Sequence, residues 1–260
     1  MEVEIMYELY FHKSPNTYKV AIFLEEAGLE YKTHVVNVGK GEQFSPEFVA
    51  ISPNSKVPVL VDHCPVDGGE PIVMFESGAI LLYLADKLNF LIPANPRERA
   101  VLLKWFFWHA VSQSPMNGQC AHFRMFSPDT TYARERYSRE VIRLAKVLDN
   151  RLAESAYVAG PGYTIADIVC YPWFDKPRMA LGLEPLEQFP HIARWFEKVS
   201  ARPAIARAYR RFDEDENIET DLKEFAKNMF GHDAHQAETA ARSAQETIAR
   251  MGMRLRQEKP

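Results

Sequence analysis

The sequence predicts an α/β domain followed by an all-helical domain, and three observations carry that expectation. The chain opens with a strand, an amphipathic helix and a second strand, an order that makes a parallel pair with a right-handed crossover. A proline-started hairpin then leads into an apolar helix, completing a β-α-β-α-β-β-α order by residue 88. After NFLIPANP, which carries two prolines and no period, only helical spacing remains. The expected division is residues 1–89, residues 97–212 and a charged, alanine-rich tail over 213–260.

Residues 5–11 read as the first strand. In HKSPNT, which follows, Ser14 suits a helix N-cap and Pro15 the first helical position. Val20, Phe23, Leu24 and Ala27 form that helix's apolar stripe, Gly28 ends it, and residues 31–38 read as the second strand. Beyond the loop GKGEQ, Ser45-Pro46-Glu47-Phe48 starts a short helix that stops near Ser52-Pro53. Val57-Pro58 opens VPVLVDH; proline can start a strand but cannot sit inside a paired central one, so a strand begins there. A polar loop over 64–70 and the apolar run 71–75 complete a hairpin. Ile80, Leu81, Leu84 and Leu88 then recur at helical spacing, with Ser77 at the expected N-cap.

In the helical part, residues 97–126 make a long aromatic-rich segment with a bend expected at Pro115. Residues 131–152 form the next helix, and Thr164-x-x-Asp167 is an acidic variant of a capping box for the one after. Residues 190–200 follow, and Arg202-Pro203 breaks the chain before 204–212. The last ~25 residues favour a helix by propensity, but such a helix is marginal without packing, so the tail either docks or frays.

Composition excludes several functions. At 260 residues and 47% hydrophobic content the chain fills a core without disulfide staples. A net charge of −4 and a pI near 6.1 supply no basic field for nucleic acid or anionic lipid. The longest apolar run, 79–85, falls far short of the ~20 residues of a membrane span. Cys64, Cys120 and Cys170 are scattered and form no C-x-x-C, and the acidic start MEVEIMYELYF is unlike a signal peptide, so a reducing cytoplasm is expected. His232-x-x-His235 reads as a helix end more readily than as a metal site, and no metal is expected.

The chemistry concentrates between residues 57 and 77. Free N–H groups at a helix start attract a carboxylate, and Glu76 beside them can receive an ammonium group; a ligand with both is an amino acid. If Val57 offers its backbone groups ahead of a cis Pro58, a peptide-like ligand pairs there as an added strand. Glu76-Ser77 alone reads as an ordinary cap with a solvated carboxylate. Together with Val57-Pro58 it points to a small peptide with a free α-amino acid end.

These motifs resemble those of glutathione transferases. SPNTYKVAIFLEEAGLEY, VNVGKGEQFSPEF, ISPNSKVPVLVDH and FESGAILLYLADK together are similar to the bacterial nu class. The resemblance implies a thioredoxin-like N-terminal domain, an all-α C-terminal domain, a homodimer and glutathione bound in its reduced or disulfide form. Where thioredoxins carry C-x-x-C this chain has SPNT, so the reactive sulfur is that of glutathione, a thiol with little thiolate at neutral pH. Ser14 and Asn16 are then the implied thiolate stabilisers, although Ser14-Pro15-Asn16 read alone is a plain helix cap. Tyr10 is the rival donor and Tyr7 a weaker one. By the same resemblance Gln43 and Lys56 lie near the glycyl carboxylate, Val57 pairs with the cysteinyl backbone, and Glu76 and Ser77 take the γ-glutamyl end. Arg136 reaches glutathione as well. Gln43 and Lys56 read equally as solvated loop residues, and Arg136 as a helix-surface ion pair.

A hydrophobic or aromatic second substrate is expected against the 97–126 segment, where Tyr18, Trp105, His109, Met116, Phe123, Trp173 and Phe174 are available, most of them as core. The implied activity is disulfide-bond reduction with general transfer to electrophiles. Cleavage of β-aryl ethers and a noncatalytic glutathione-binding regulator are the alternatives.

Overall fold

Residues 6–215, 221–231 and 233–250 are described by a computed structural model. Four strands, β1 (Tyr7–Phe11), β2 (Tyr31–Val35), β3 (Val59–Asp62) and β4 (Ile72–Phe75), lie in the order β2-β1-β3-β4. β1 runs parallel to β2, with Tyr10 opposite His34, and antiparallel to β3, with Tyr10 opposite Val59. β4 closes the far edge antiparallel to β3. Three helices flank the sheet: α1 (Pro15–Glu26), α2 (Pro46–Ile51) and α3 (Ser77–Leu88). Tyr7, Leu9 and Phe11 alternate onto one face and are buried with Phe23, Ile80 and Leu84 of α1 and α3. Tyr10 and Val59 point to the other, against Phe48 and Ile51 of α2. This is the expected thioredoxin-like arrangement.

Local chemistry moves three boundaries. β2 stops at Val35 because the Asn37 side chain caps the N–H of Lys40 at 3.1 Å, turning the chain into two 3₁₀ turns over Val38–Lys40 and Glu42–Phe44. Ser77, expected at the N-cap of α3, is its first helical residue instead; Glu76 holds the cap position at φ 71° and ψ 107°. A strand that passes directly into a helix needs one residue of unusual backbone, and a non-glycine residue holds φ above zero at a cost of about 1–3 kcal/mol. The third shift concerns the expected bend at Pro115.

The helical part comprises α4 (Pro96–Trp108), α5 (Ser114–Met125), α6 (Thr131–Glu154), α7 (Ile165–Cys170), α8 (Arg178–Leu181), α9 (Pro190–Ser200) and α10 (Pro203–Asp215). Between α4 and α5 the chain makes a π-helical turn, His109–Gln113. Pro115 cannot donate to the carbonyl one turn back and its ring crowds it, and the helix widens just upstream of the proline. Thr164 and Asp167 form the predicted capping box of α7. Asp167 is wholly buried and accepts from the Val158 and Thr164 backbones and the Trp195 indole, each at 2.9 Å. One continuous core runs from Tyr7 and Phe23 to Trp195 and Phe212, so both parts of the chain share it.

The tail docks. α11 (Leu222–Phe230) and α12 (Ala234–Arg250) pack together through Ala226, Ala237, Ala240, Ala241 and Ala244. Phe225 joins the Val36, Val38 and Phe48 cluster, and Phe126 of the α5 C-cap stacks on it at 5.6 Å. Asn228 donates to the Gly39 carbonyl at 2.5 Å. These contacts supply the packing that a short helix needs to persist.

Two outcomes test this architecture. Asp167→Asn presents an NH₂ group to N–H donors, and each stranded buried donor costs about 1–3 kcal/mol, so urea unfolding is expected to show a loss of about 2–4 kcal/mol; an unchanged midpoint would remove Asp167 from the folding core. Phe225→Ala gives up roughly 2 kcal/mol of half-buried packing, so limited proteolysis should cut the 221–250 segment roughly tenfold faster or more. Unaltered cleavage would mean that other contacts hold the tail.

Candidate functional site

The end of β1 delivers the chain to the start of α1. Ser14 is extended, at φ −151° and ψ 156°, and its Oγ accepts the Thr17 N–H at 3.3 Å and lies 3.0 Å from Thr17 Oγ1. When the Thr17 hydroxyl donates in this pair, Thr17 occupies both lone pairs of Ser14 and leaves the Ser14 proton to point outward. The first turn of α1 holds no acidic residue, so the partial positive charge of the helix start is not neutralised locally.

Asn16 sits in a chain of donors. Its Oδ1 accepts from Lys19 Nζ at 2.7 Å and from Ser114 Oγ at 3.4 Å, and the Trp173 indole donates to Ser114 Oγ at 3.2 Å. Lys19 is 3% exposed, and burial pulls its ammonium down to about 7, against the opposing influence of Cys170 and Glu76. His109, also buried, is held well below the usual imidazole range by burial and by the charge of Lys19, while its Nδ1 lies 2.7 Å from Gln113 Oε1. The π-helical turn created by Pro115 thus feeds Ser114 and a neutral imidazole into the contact between α1 and the helical part.

The other expected residues lie on separate elements. The Val57-Pro58 peptide is cis, as the strand-pairing idea required, and Val57 is half-buried two residues ahead of β3. Glu76 is exposed, and Asn54 donates to its Oε1 at 3.5 Å; Ser77 beside it is buried. Lys56 is exposed, its backbone tied to the Ser52 hydroxyl. Gln43 is not a solvated loop residue: it is 1% exposed beneath α11, its Nε2 3.5 Å from Met229 Sδ and its Oε1 unpartnered among the described residues. Arg136 is exposed on α6, where its charge helps hold Glu140 low.

The rival phenols lie elsewhere. Tyr10 stands on the α2 face stacked on His34 at 4.5 Å, and burial with the Glu8 charge pushes its phenol up. Tyr7 is buried on the opposite face under Lys87. Of the aromatic wall residues, Tyr18 stacks on Tyr209 at 4.0 Å and Phe174 is buried, both in the core, while half-buried Phe123 stacks on Tyr137 at 5.4 Å. Trp173 reaches Asn16 through Ser114. Among the described residues no three His, Cys, Asp or Glu side chains come together to hold a metal, and none of the described helices is long and apolar enough to cross a membrane. His232 lies outside the described residues.

Sequence reading missed Lys19 and Ser114. A signal for Lys19 was present: residues 17–24 of α1 are buried without a break, and a lysine inside such a run has no route to water. Ser114 lies too far along the chain for spacing to reveal it.

These residues include a carboxylate at Glu76, the Val57 backbone ahead of a cis proline, and two polar side chains at the start of α1. The N-terminal domain profile of the glutathione S-transferases matches residues 13–87, and the C-terminal domain profile matches residues 114–203. The disulfide-bond oxidoreductase YfcG of Escherichia coli is 47% identical over 207 residues, covering 78% of this chain and 94% of that protein. A glutathione transferase family member from Pseudomonas fluorescens, solved with two glutathione bound, is 36% identical at a TM-score of 0.75, covering 80% of this chain and 94% of that chain. A glutathione transferase from Pseudomonas putida, solved with one glutathione disulfide bound per subunit, is 34% identical at a TM-score of 0.73, covering 80% and 92%. Likeness at this level over both domains places the chain in the glutathione transferase family.

Proposed function

We propose that this protein is a glutathione-dependent enzyme of nu-class type that activates the glutathione thiolate for disulfide-bond reduction and for transfer to hydrophobic electrophiles. The observation that carries the reading is the start of α1, where a thioredoxin-type enzyme would hold cysteines and this chain holds only donors, Ser14 and Asn16, on an uncompensated helix terminus. A site that stabilises a thiolate without owning one takes its sulfur from the ligand.

In disulfide reduction the bound thiolate attacks one sulfur of the substrate, a new S–S bond forms as the old one breaks, and the departing thiolate takes a proton from water. A second glutathione thiolate attacks the mixed disulfide, releasing glutathione disulfide and the second substrate thiol. Glutathione supplies both electrons and the protein neither. The name of the Escherichia coli relative and the glutathione disulfide in the Pseudomonas putida structure support this use of the site. In the transfer reaction the same thiolate attacks an electrophilic carbon and a leaving group departs.

The ligand contacts belong to the proposal. Glu76 pairs with the γ-glutamyl ammonium and Ser77 with its carboxylate at the α3 start, Val57 pairs with the cysteinyl backbone, and Lys56 serves the glycyl end, with Arg136 a further contact; Gln43, expected beside Lys56, is covered by α11 and joins them only if that helix moves aside. Strain at Glu76 supports its part, since a left-handed carboxylate residue is held where glycine would be easier. A homodimer is part of the reading, supported by the apolar side chains of Val73 and Phe75 on the β4 edge and of Phe107 and Val111, all exposed. So is a reducing cytoplasm, supported by three free cysteines, two of them buried.

Ser14→Ala and Asn16→Ala each remove one hydrogen bond to an ion, worth about 1.5–3 kcal/mol, so kcat/KM for glutathione-dependent reduction of hydroxyethyl disulfide should fall roughly 10- to 150-fold. Tyr10→Phe should stay within about twofold; a silent Ser14→Ala beside an inactive Tyr10→Phe would reverse the assignment. Glu76→Ala should raise the glutathione Kd by roughly tenfold or more in calorimetry, with Glu76→Gln between it and the parent. Equal affinity in all three would detach Glu76 from the ligand.

A further inference from the structure

Among the described residues Lys19 is the only fully buried cation, and no carboxylate stands in salt-bridge contact with it. Burying an ammonium group is costly, so its single close contact demands a reason. That contact is Asn16 Oδ1 at 2.7 Å. An ammonium group donates and does not accept, which fixes the amide atom facing it as the oxygen. An indole N–H also only donates; at 3.2 Å it occupies a lone pair of Ser114 Oγ, and Ser114 in turn donates to the same Asn16 oxygen at 3.4 Å. Every donor in this chain points toward one carbonyl. Because the amide is planar, its Nδ2 and both hydrogens are turned away from Lys19. Donors converging on the carbonyl also polarise the amide, which makes those hydrogens better donors.

We infer that Lys19 is a positioning residue for the reaction: it pins the Asn16 amide oxygen so that the NH₂ group faces the bound sulfur, and its charge, carried through that amide, favours thiolate over thiol. The inference rests on the reading that the glutathione sulfur lies at Ser14 and Asn16. The titratable groups that act on Lys19 are Cys170 of α7, Glu76 at the start of α3 and His109 of the π-helical turn. Burial pushes the Cys170 thiol up, so it stays protonated, and His109 stays neutral, leaving exposed Glu76 as the counter-charge that acts on Lys19 among the described residues. A thiolate at Asn16 therefore becomes the nearest anion to a cation that lacks a partner, and each stabilises the charged form of the other.

The test titrates the thiol of bound glutathione by its ultraviolet thiolate absorbance in the wild type, Lys19→Met, Lys19→Arg, Asn16→Ala and the Asn16→Ala/Lys19→Met double variant. Lys19→Met should raise the thiol pKa by about one unit and lower kcat/KM at neutral pH roughly tenfold. Binding of S-methylglutathione, which has no ionisable sulfur, should be unchanged by it. Lys19→Arg should recover part of the loss, and the double variant should be no worse than Asn16→Ala, because the effect passes through that amide.

Thermal unfolding separates this role from a purely structural one. The folded pKa of Lys19 lies below its unfolded value, so the cost of its buried charge is present in full below pH 7 and fades as the pH rises from 7 toward 10. Lys19→Met should therefore melt no lower than wild type, with its largest advantage below pH 7. A wild-type thiol titration in Lys19→Met, or a double variant in which the two losses multiply, would overturn the inference. Failure of the wild type to bind either S-methylglutathione or glutathione would instead overturn the reading beneath it.

Discussion

An amide oxygen accepts two good hydrogen bonds, and at Asn16 one comes from within α1 and the other from the helical part of the chain. The orientation of this side chain is consequently a property of the docked molecule. It needs α1 to be helical through Lys19, the π-helical turn to bring Ser114 within reach, and Trp173 to hold the Ser114 hydroxyl in place. The shared core makes this docking rigid, since side chains from β1, α1, α7 and α9 pack in one cluster. A donor on a free loop would have to be ordered by each ligand in turn; here the ordering is done in folding.

Magnitudes decide which features matter for a thiolate. Moving a thiol from its ordinary pKa of ~8.5 to neutrality takes roughly 2 kcal/mol. A helix terminus supplies about 0.3–1 kcal/mol at an exposed position and reaches ~2 only in favourable, partly buried geometry. Hydrogen bonds to a charged group contribute about 1.5–3 kcal/mol each. The Ser14 hydroxyl and the Asn16 amide are thus large enough for the task, and the helix start acts in the same direction as a smaller field. The strain at Glu76 is comparable in size to one such bond.

Features governed by neighbours in sequence were legible. SPNT announced a cap and a proline at the first helical position, Thr164-x-x-Asp167 announced its box, and Val57-Pro58 announced a strand start, because each depends on dihedral preference and hydrogen bonds within a few residues. The slip of one residue at Glu76-Ser77 arose because local rules place a hydroxyl at the cap and do not offer a left-handed glutamate, a conformation imposed by the strand behind it and the helix ahead. Pro115 was correctly read as disruptive, but a helix under load yields at its widest tolerated turn, which lay upstream. Lys19 escaped because an apolar stripe at helical spacing assigns every other position to solvent, whereas α3, α7 and α10 surround α1 and leave residues 17–24 no solvent side.

Gln43 illustrates the same limit over a greater distance. Nothing near it in sequence distinguishes a solvated loop amide from a buried one, and the difference is made by Met229 and Asn228, which reach the turns over residues 38–44 from α11. The C-terminal family profile ends at residue 203, so the helix that settles the surroundings of Gln43 lies beyond the part of the chain that the family describes. Phe225 links the two facts. Its ring fills the cluster formed by Val36, Val38 and Phe48 and meets Phe126 on the other side, and without that burial a helix as short as Leu222–Phe230 would not persist. The contact that makes α11 a helix is therefore the one that removes Gln43 from water.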